Sequence, residues 1–284
     1  MRALVLGAGG QLGSELVRLL PEAVGLTHRE LSVTDLPSLD RVCKDHRPQV
    51  VFNCAAYNAV DAAETEPALA YSVNSEGSTS VATAAQRHGA RLVHFSTNFV
   101  FDGSLDRPYV ESDQANPLGV YARSKLDGET RLLTVMPGAL VIRTAALFGD
   151  GGPIAMGRNF PERILMRVRN GDRLRVVSDQ RVNPTYTRDL AQAAVKLAEQ
   201  EIAGVVHVVA DGCCAWDEFA RAILAESGAE ANVEAVTSAE LASPAPRPRN
   251  GCLGSVRTVA LRPWRQGLHE WASRRRGDHQ PQAR

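Results

Sequence analysis

The chain has 284 residues, 44% of them hydrophobic, which suffices for one α/β domain with a smaller appended lobe. Lysine plus arginine and aspartate plus glutamate each total 32, so the formal net charge is zero and neither a nucleic acid nor an anionic membrane is an expected partner. The sequence shows no apolar run of transmembrane length and no signal-peptide pattern at its N-terminus, so we expect a cytoplasmic protein.

Apolar runs and helical spacings alternate along the first half of the chain. They predict strands over residues 2–6, 23–27, 49–54, 91–96 and 139–144, and helices over residues 12–20, 36–45, 68–88 and 121–135. Parallel strands that are buried on both faces are apolar throughout, as these are. The alternation therefore predicts an α/β fold with a Rossmann-type, doubly wound parallel sheet.

The regularity weakens after Gly149, where glycine and proline predict a mobile loop over residues 149–157. Further on we predict helices over 159–170, 187–200 and 215–227, strands over 205–209 and 233–236, and an extended proline-rich segment over 243–249. The predicted division has three parts. A Rossmann domain covers 1–149, and the chain returns to it near 174–209. A small discontinuous substrate-binding lobe covers 150–173 and 210–262, and a C-terminal helix with a frayed tail covers 263–284.

The five cysteines, at positions 43, 54, 213, 214 and 252, are odd in number and include no C-x-x-C pair. This pattern argues against a disulfide framework and against a zinc site. The adjacent Cys213 and Cys214 could be redox-active, but we favour two small residues in a loop.

A glycine-rich segment lies between the first predicted strand and the first predicted helix. Gly7, Gly10 and Gly13 have the spacing G-x-x-G-x-x-G. The first glycine permits a tight turn, the second lets the backbone approach a pyrophosphate, and the third lets the helix pack on the strand. Because the N–H groups of a helix N-terminus attract phosphate, this segment predicts dinucleotide binding rather than a purely structural turn.

The end of the second strand helps to select the cofactor. An acidic residue there would favour NAD, but this chain has His28 and Arg29. Arg29 is either a partner for the 2′-phosphate of NADP or a plain surface arginine, and the neighbouring Glu30 weakens the first interpretation. We predict NADPH as the cofactor, with NADH as the alternative.

Tyr121 and Lys125 are four residues apart at the start of a predicted helix, so they share one helical face. A nearby ammonium would lower the pKa of the phenol, and the tyrosine could then protonate a carbonyl oxygen while a hydride reaches its carbon. Thr97 ends a strand at the edge of the sheet where ligands bind, and either binds the same carbonyl or caps a turn.

Two further segments end at the same edge. Ala55, Ala56 and Tyr57 follow the third strand, and their first two side chains are small enough to leave room for a flat cofactor. Asn74 either fixes the backbone near the site or caps a turn.

Together these residues resemble the extended short-chain dehydrogenase/reductase superfamily and, within it, the dTDP-4-dehydrorhamnose reductase family. The resemblance covers almost the whole chain, through Gly7–Gly13, Asn53–Tyr57 with Val60-Asp61, Ser96–Gly103, Pro108-Tyr109 with Glu111, Tyr121–Glu129, Arg143-Thr144, Asn159-Phe160, Asp179–Thr185, Asp189–Ala191, Trp216–Ala220 and Arg247–Asn250.

The resemblance implies NAD(P)H-dependent reduction of the 4-keto group of a nucleotide-activated 6-deoxyhexose. It implies a catalytic triad of Thr97, Tyr121 and Lys125. The implied cofactor contacts are Gly7, Gly10, Gln11, Leu12, His28, Arg29, Ala55, Ala56, Tyr57, Asn74, Tyr121 and Lys125. The implied substrate contacts are Thr97, Asn98, Phe99, Ala146 and Asn159.

Three departures from the family pattern all lie on the substrate side. Asn98 and Phe99 replace a common aspartate and tyrosine, Ala146 replaces a common tryptophan, and the segment from Gly149 to Arg158 is longer than usual. The substrate could therefore be a different 4-keto sugar, such as one destined for an antibiotic. In some members glutamates hold a metal between subunits, but one such position corresponds to Arg188, so we expect no metal. A homodimer is one possible oligomeric state.

Two alternatives remain. Related dehydratases place Asp-Glu after the threonine, and the absence of that pair here argues against a nucleotide-sugar dehydratase or epimerase. A cofactor-binding regulatory subunit without turnover could keep Tyr121 and Lys125, so the sequence leaves this alternative open.

Overall fold

The computed structural model of the protein describes residues 1–151 and 159–278, with side chains as far as Arg276. Most of the loop predicted over 149–157, including residues 152–158, lies outside the described residues, as do residues 279–284 of the predicted tail. Among the described residues, no helix is long and apolar enough to cross a membrane.

The strands and helices follow the predicted order closely. The strands are β1 Ala3–Leu6, β2 Val24–Leu26, β3 Val50–Asn53, β4 Arg91–Thr97, β5 Leu140–Thr144, β6 Leu147–Phe148, β7 Leu174–Val177, β8 Arg181–Val182, β9 Thr185–Tyr186, β10 Gly204–His207, β11 Ala210–Asp211, β12 Cys214–Ala215, β13 Val233–Val236 and β14 Leu261–Pro263. The α-helices are α1 Gln11–Leu19, α2 Leu36–His46, α3 Pro67–Tyr71, α4 Ser78–Arg87, α5 Val120–Val135, α6 Phe160–Arg169, α7 Thr187–Glu199, α8 Trp216–Ser227, α9 Ser238–Leu241 and α10 Trp264–Asp278.

Six parallel strands form the central sheet in the order β10-β5-β4-β3-β1-β2. The chain leaves β1 toward β2 on one side and later returns to β3 on the other. This reversal opens a crevice between the carboxyl ends of β1 and β3, which is where ligands bind in such sheets. The predicted doubly wound parallel sheet is confirmed.

Helices cover both faces of the sheet because each buries one apolar stripe. Leu12 and Leu16 of α1 pack with Leu190 of α7 on one face. On the other face, α2 and α4 contribute Leu39 and Val81 to a second cluster, which α5 completes. The single helix predicted over 68–88 has the right extent, but residues Ser72–Gly77 form a π-helical segment between α3 and α4. Such segments are frequent at functional sites.

A separate hydrophobic core lies in the region predicted as the second lobe, where aromatic residues of α8 and α10 pack around Phe148. The predicted boundaries of this lobe need one correction. Strand β7 pairs with β13 and does not join the central sheet, because Leu174 and Val176 are buried in the core of the lobe. The return to the Rossmann sheet therefore begins with α7 and ends with β10.

The cysteine prediction also needs a correction. Cys213 and Cys252 form a disulfide, with their Cα atoms 6.1 Å apart, whereas Cys43, Cys54 and Cys214 are free. Because the two bonded cysteines are 39 positions apart in the sequence, only the folding of the loops before α8 and before β14 brings them together.

Candidate active site

The glycine loop turns sharply because two of its glycines leave no room for a side chain. Gly7 has a φ of +77°, and a Cβ there would lie 2.8 Å from the backbone nitrogen of Ala55. A Cβ on Gly13 would lie 2.3 Å from the carbonyl oxygen of Gly7, so this glycine allows α1 to pack against the loop. These contacts put the loop at the crevice between β1 and β3.

The N-terminus of α1 fits a dinucleotide phosphate. Its N-cap residue, Gly10, is exposed and provides no side-chain cap, so no side chain occupies the place of a phosphate there. The Oε1 atom of Gln11 is buried without a hydrogen-bond partner among the described residues. The side chain of Leu12 is buried in the core, so only its backbone can face a ligand.

The end of β2 presents its basic residue to solvent. His28 and Arg29 are both exposed. The carboxylate of Glu30 accepts hydrogen bonds of 2.8 Å from the backbone N–H and the hydroxyl of Thr27, which lower the pKa of Glu30. Glu30 is engaged with this turn while His28 and Arg29 are exposed, and the contact of Arg29 with a 2′-phosphate stays a prediction.

Asn74 fixes the loop after β3, which selects between the two interpretations of its sequence. Its Oδ1 accepts a hydrogen bond of 2.8 Å from the backbone N–H of Tyr57, and its Nδ2 donates to the carbonyl of Tyr57 and to the hydroxyl of Ser124. The amide is buried and both of its hydrogens are used. Asn74 therefore positions Ala55, Ala56 and Tyr57 against α5 through the protein backbone.

Tyr121 and Thr97 meet at the carboxyl edge of the sheet. Tyr121 lies in the first turn of α5, and its hydroxyl donates to Oδ1 of Asn58 at 3.4 Å. Burial raises the pKa of this phenol to about 12, a rise that the nearby hydroxyl of Thr97 opposes. The hydroxyl of Thr97 also accepts a hydrogen bond of 3.2 Å from the backbone N–H of Phe99. The structure thus brings together the predicted proton donor and the predicted carbonyl-binding hydroxyl.

Lys125 lies one helical turn after Tyr121 in α5 and is only 2% exposed. Its Nζ donates a hydrogen bond of 2.8 Å to the carbonyl of Phe95 and lies 3.3 Å from Nε2 of His94. Burial lowers the pKa of Lys125 to about 8. The Nζ atom is turned toward β4 and burial is the largest effect on the phenol, so the lowering of the Tyr121 pKa by this lysine stays a prediction.

Two of the predicted substrate contacts form hydrogen bonds with the protein backbone. Asn98 donates from Nδ2 to the carbonyl of Gly251 at 2.9 Å and is buried. Asn159 caps α6 by accepting from the N–H of Glu162 at 2.9 Å, and donates to the carbonyl of Gly149. Because these amides are engaged with the backbone, their contribution to a substrate site is to shape it.

The other two predicted substrate residues are more accessible. Phe99 is half-buried and packs edge-on against Tyr121, with ring centroids 5.9 Å apart. Ala146 is half-buried and has a φ of 44°, a left-handed conformation that costs an alanine about 1 kcal/mol or more. Its carbonyl accepts a hydrogen bond from the N–H of Thr185.

A cavity of about 740 Å³ extends from Phe99 into the second lobe. Phe160 and Trp216 line it with their ring centroids 4.7 Å apart. Arg163 and Arg247 also line it, and the charge of Arg247 adds to the effect of burial in lowering the pKa of Arg163. Arg247 is paired with Asp61, whereas Arg163 has no acidic partner among the described residues, and such a guanidinium suits a phosphate group of a diphosphate.

Residue Arg247 also joins the two lobes. It forms a two-pronged ion pair with Asp61, at 2.8 and 3.0 Å, so that the proline-rich segment 243–249 closes one wall of the cavity. Asp61 in addition accepts from the backbone N–H of Ala245 at 3.1 Å. The extended conformation predicted for this segment thus gives the cavity its wall.

A family model described as "RmlD substrate binding domain" matches residues 1–276. The chain belongs to the dTDP-4-dehydrorhamnose reductase family. A dTDP-4-dehydrorhamnose reductase of Streptomyces griseus is 41% identical over 287 residues, which cover 95% of this chain and 92% of the relative. A probable dTDP-4,6-dihydroxy-2-methyloxan-3-one 4-ketoreductase of Streptomyces antibioticus is 38% identical, over 95% of this chain and 94% of the relative.

The crystal structure of a dTDP-4-dehydrorhamnose reductase from Bacillus anthracis in complex with NADP has a TM-score of 0.91 at 32% identity. It covers 96% of this chain and 99% of that chain. Both the family and the Rossmann-type fold expected from the sequence are therefore confirmed, and the chain is an NAD(P)H-dependent oxidoreductase of this family.

Sequence reasoning missed residues that the structure places in the site. His94 and Asn53 contact or support Lys125, and the signal for them was a polar residue within a strand that is otherwise buried and apolar. No local signal marks Arg163 as a cavity residue, because only tertiary structure brings α6 to Arg247.

Arg188 occupies the position on which the expected absence of a metal rests, and its guanidinium lies 3.6 Å from the carboxylate of Glu270. The absence of a metal stays a prediction.

Proposed function

We propose that this protein reduces the 4-keto group of a dTDP-4-keto-6-deoxyhexose, with NADPH as the preferred reductant. The cavity carries this proposal, because it joins a pair of arginines and a pair of aromatic rings to Tyr121 through Phe99. The arginines suit the diphosphate and the rings suit the thymine base. The names of the relatives and the NADP in the Bacillus anthracis structure support the same assignment.

The chain's own residues account for the proton in this reaction. A bound reduced nicotinamide supplies the hydride, and the glycine loop with Arg29 would hold its dinucleotide. Tyr121 enters protonated because burial raises its pKa, and it donates that proton to the keto oxygen. Thr97 orients the same oxygen through its hydroxyl. We assign Asn74 and Asn98 to positioning, since their amides bind backbone groups.

The departures at Asn98, Phe99 and Ala146 bear on which sugar is reduced. Small and apolar side chains at Ala146 and Phe99 leave room beside Tyr121, and we propose that the sugar ring lies there. Asn98 and Phe99 stand where a dehydratase would need an acid and a base, which favours simple reduction. The cytoplasmic location, the homodimer and the division into a Rossmann domain and a substrate lobe stay predictions.

Incubation of the purified protein with NADPH and a dTDP-4-keto-6-deoxyhexose tests the proposal. We expect NADPH to be consumed and, with NADPH deuterated at the transferred position, deuterium to appear at C4 of the sugar. The matched control is the dTDP-sugar without a keto group, which should consume none. Binding of NADPH without reduction of any 4-keto nucleotide sugar would contradict the proposal and favour the regulatory-subunit alternative.

A further inference from the structure

The Cys213–Cys252 disulfide lines a second cavity, of about 670 Å³, that the proposed function does not use. This second cavity backs onto the larger cavity that contains Arg163, here called the substrate cavity. In β8, Val182 lines the substrate cavity, whereas its neighbour Arg181 lines the second cavity. Since successive side chains of a strand point to opposite faces, the thickness of one strand separates the two cavities.

The disulfide connects the two segments that flank β8. On one side β12 pairs antiparallel with β8, and Cys213 comes directly before β12. On the other side the backbone of Arg181 forms hydrogen bonds of 2.8 Å with Arg249 and Gly251, and Cys252 comes directly after them. The covalent bond therefore joins the two neighbours of the strand that separates the cavities.

The segment that carries Cys252 also contacts the catalytic edge and the substrate cavity. The carbonyl of Gly251 accepts the hydrogen bond of 2.9 Å from Nδ2 of Asn98, the residue after Thr97. Earlier in the same segment, Arg247 lines the substrate cavity. A change in the position of this segment would therefore reach both parts of the proposed site.

A buried amide holds the two cysteines near each other independently of their bond. Asn183 is 4% exposed, and its Oδ1 accepts a hydrogen bond of 2.8 Å from the N–H of Leu253. Its Nδ2 donates to the carbonyl of Gly212 at 3.0 Å. Gly212 and Leu253 are the chain neighbours of the two bonded cysteines, so reduction leaves these cysteines close together and the disulfide can form again.

Only one of the two bonded cysteines is accessible to a thiol. Cys213 is half-buried, whereas Cys252 is 3% exposed. The adjacent Cys214 does not supply a thiolate at neutral pH, because burial raises the pKa of its thiol to about 12. An attacking thiolate therefore comes from solution, and the cytoplasm predicted for this chain contains small thiols that reduce most disulfides.

The charges in the second cavity favour a thiol that carries carboxylates. Arg181 and Arg249 line this cavity, are exposed and have no acidic partner among the described residues, and Arg181 donates to the carbonyl of Cys213 at 3.4 Å. Of the two carboxylates that line the cavity, Asp179 accepts hydrogen bonds from the start of α9, and Asp106 is exposed. The cavity thus offers two guanidinium groups against one carboxylate that no described residue binds.

We propose that Cys213 is a site of thiol–disulfide exchange with a small, carboxylate-bearing thiol, and that reduction of its bond to Cys252 weakens substrate binding. The incoming thiolate attacks Sγ of Cys213, forms a mixed disulfide and releases the thiolate of Cys252, which takes a proton from water. A second thiolate then attacks the sulfur of the small molecule in the mixed disulfide and releases Cys213. Two small thiols are thereby oxidised to one disulfide, while the two cysteines are reduced.

Alkylation of free thiols and peptide mass spectrometry test the exchange without any turnover. The purified full-length protein is equilibrated in buffers that range from oxidised to reduced glutathione, quenched and alkylated. We expect Cys213 and Cys252 to be bonded in the oxidised buffer and alkylated together in the reduced buffer, with a glutathione adduct on Cys213 between these limits. Cys43 and Cys214, which are buried, should be thiols throughout.

Three results of this mapping would overturn the proposal. They are a disulfide that persists in the reduced buffer, bonded cysteines that are free thiols in the oxidised buffer, and an adduct found on Cys252 alone. Since the mapping uses the wild type, it does not depend on the folding of any variant.

A neutral thiol tests the role of the two arginines. Arg249→Ala should slow the exchange with glutathione by about two- to fivefold, the size of an exposed ion pair, and leave the exchange with 2-mercaptoethanol unchanged. Arg173→Ala, which removes an exposed arginine that lines neither cavity, should match the wild type with both thiols. Equal rates for Arg249→Ala and wild type with glutathione would overturn the preference for an anionic thiol.

The link to the substrate cavity rests on the proposed function and is tested by the dissociation constant for dTDP. Reduction of the wild type should raise this constant by about two- to tenfold, the range of one hydrogen bond, and leave the constant for NADPH unchanged. Cys213→Ser should show the raised value in both buffers, whereas Cys214→Ala should respond to the buffer as the wild type does. Equal affinity for dTDP in the oxidised and reduced wild type would overturn the link. A protein that binds no dTDP would contradict the proposed function, while the thiol mapping still decides the exchange.

Discussion

The catalytic edge of the central sheet and the cavity of the second lobe are built in opposite ways. At the sheet edge, Tyr121 and Lys125 are buried, and Asn74, Asn98 and His94 hold their surroundings through hydrogen bonds to the protein. In the cavity, the Arg163 guanidinium has no acidic partner among the described residues, whereas Arg247 is paired with Asp61. We therefore expect the groups of the chemical step to be in place before the substrate binds, whereas substrate recognition would depend on Arg163, which has no acidic partner among these residues.

This contrast bears on the positions predicted to depart from the family pattern, since Asn98 lies at the hydrogen-bonded edge whereas Phe99 and Ala146 make no side-chain hydrogen bonds. The residues of the catalytic edge are tied to several elements at once, so a substitution there disturbs the backbone as well as the site. The substrate side tolerates Ala146 and Phe99 because they have no hydrogen bonds through their side chains. We therefore expect substitutions at Phe99 or Ala146 to change the fit of the sugar more than the delivery of hydride and proton.

The largest expected effect is on the chemical step. Removal of the phenol in Tyr121→Phe should lower kcat by about 10²- to 10⁴-fold, because only this group can protonate the keto oxygen. Affinity for NADPH should change little, and steady-state kinetics with a binding titration would measure both. Tyr71→Phe, which removes a hydroxyl outside the site, is the matched control. Similar kcat values in the two variants would place the proton donor elsewhere.

A smaller but still large effect concerns stability at the catalytic edge. The folded protein holds Lys125 at a pKa of about 8 instead of 10.5, so between these values the unfolded chain binds more protons than the folded one. The stability of the wild type should therefore rise with pH across this window, by up to about 3 kcal/mol relative to Lys125→Met.

Urea unfolding of both proteins at pH 7 and pH 10 would measure this difference. Lys196→Met, which removes an exposed lysine, is the control and should track the wild type at both pH values. A free-energy gap between wild type and Lys125→Met that stays constant from pH 7 to pH 10 would show that burial does not depress the pKa of this lysine.

In the cavity, loss of one guanidinium should act on binding alone. Arg163→Ala should raise the KM for the dTDP-sugar by about tenfold, the value of one charge-assisted hydrogen bond, while kcat and the KM for NADPH stay close to wild type. Arg169→Ala, an exposed arginine at the end of the same helix, should leave all three constants unchanged. A fall in kcat without a rise in KM would contradict the proposal that the cavity serves substrate binding and the sheet edge serves the chemical step.

The smallest expected effect concerns the choice of cofactor. Arg29→Ala should weaken NADPH by several-fold to about tenfold and leave NADH nearly unchanged, because only NADPH carries the 2′-phosphate. Arg41→Ala, on an exposed face of α2, serves as the control. Equal losses for both cofactors in dissociation constants measured by fluorescence would show that Arg29 does not contact the phosphate.

The local patterns of the chain determined much of this architecture. Apolar strands that end in glycine or small polar residues predicted the central sheet and its ligand-binding edge, since periodicity and glycine spacing act over a few residues. The pairing of Tyr121 with Lys125 followed from helical geometry alone. The resemblance of these segments to one family then narrowed a carbonyl reductase to a keto-sugar reductase.

Only the tertiary structure decided what depends on residues far apart in the chain. It turned Asn98 and Asn159 inward, paired β7 with β13, joined Cys213 to Cys252, and brought His94 to Lys125 and Arg163 to Arg247. Each of these depends on long-range packing and on which donors and acceptors are buried together. The glycine loop and Tyr121 are readable from local sequence, whereas the protonation and orientation of the groups around them are properties of the folded protein.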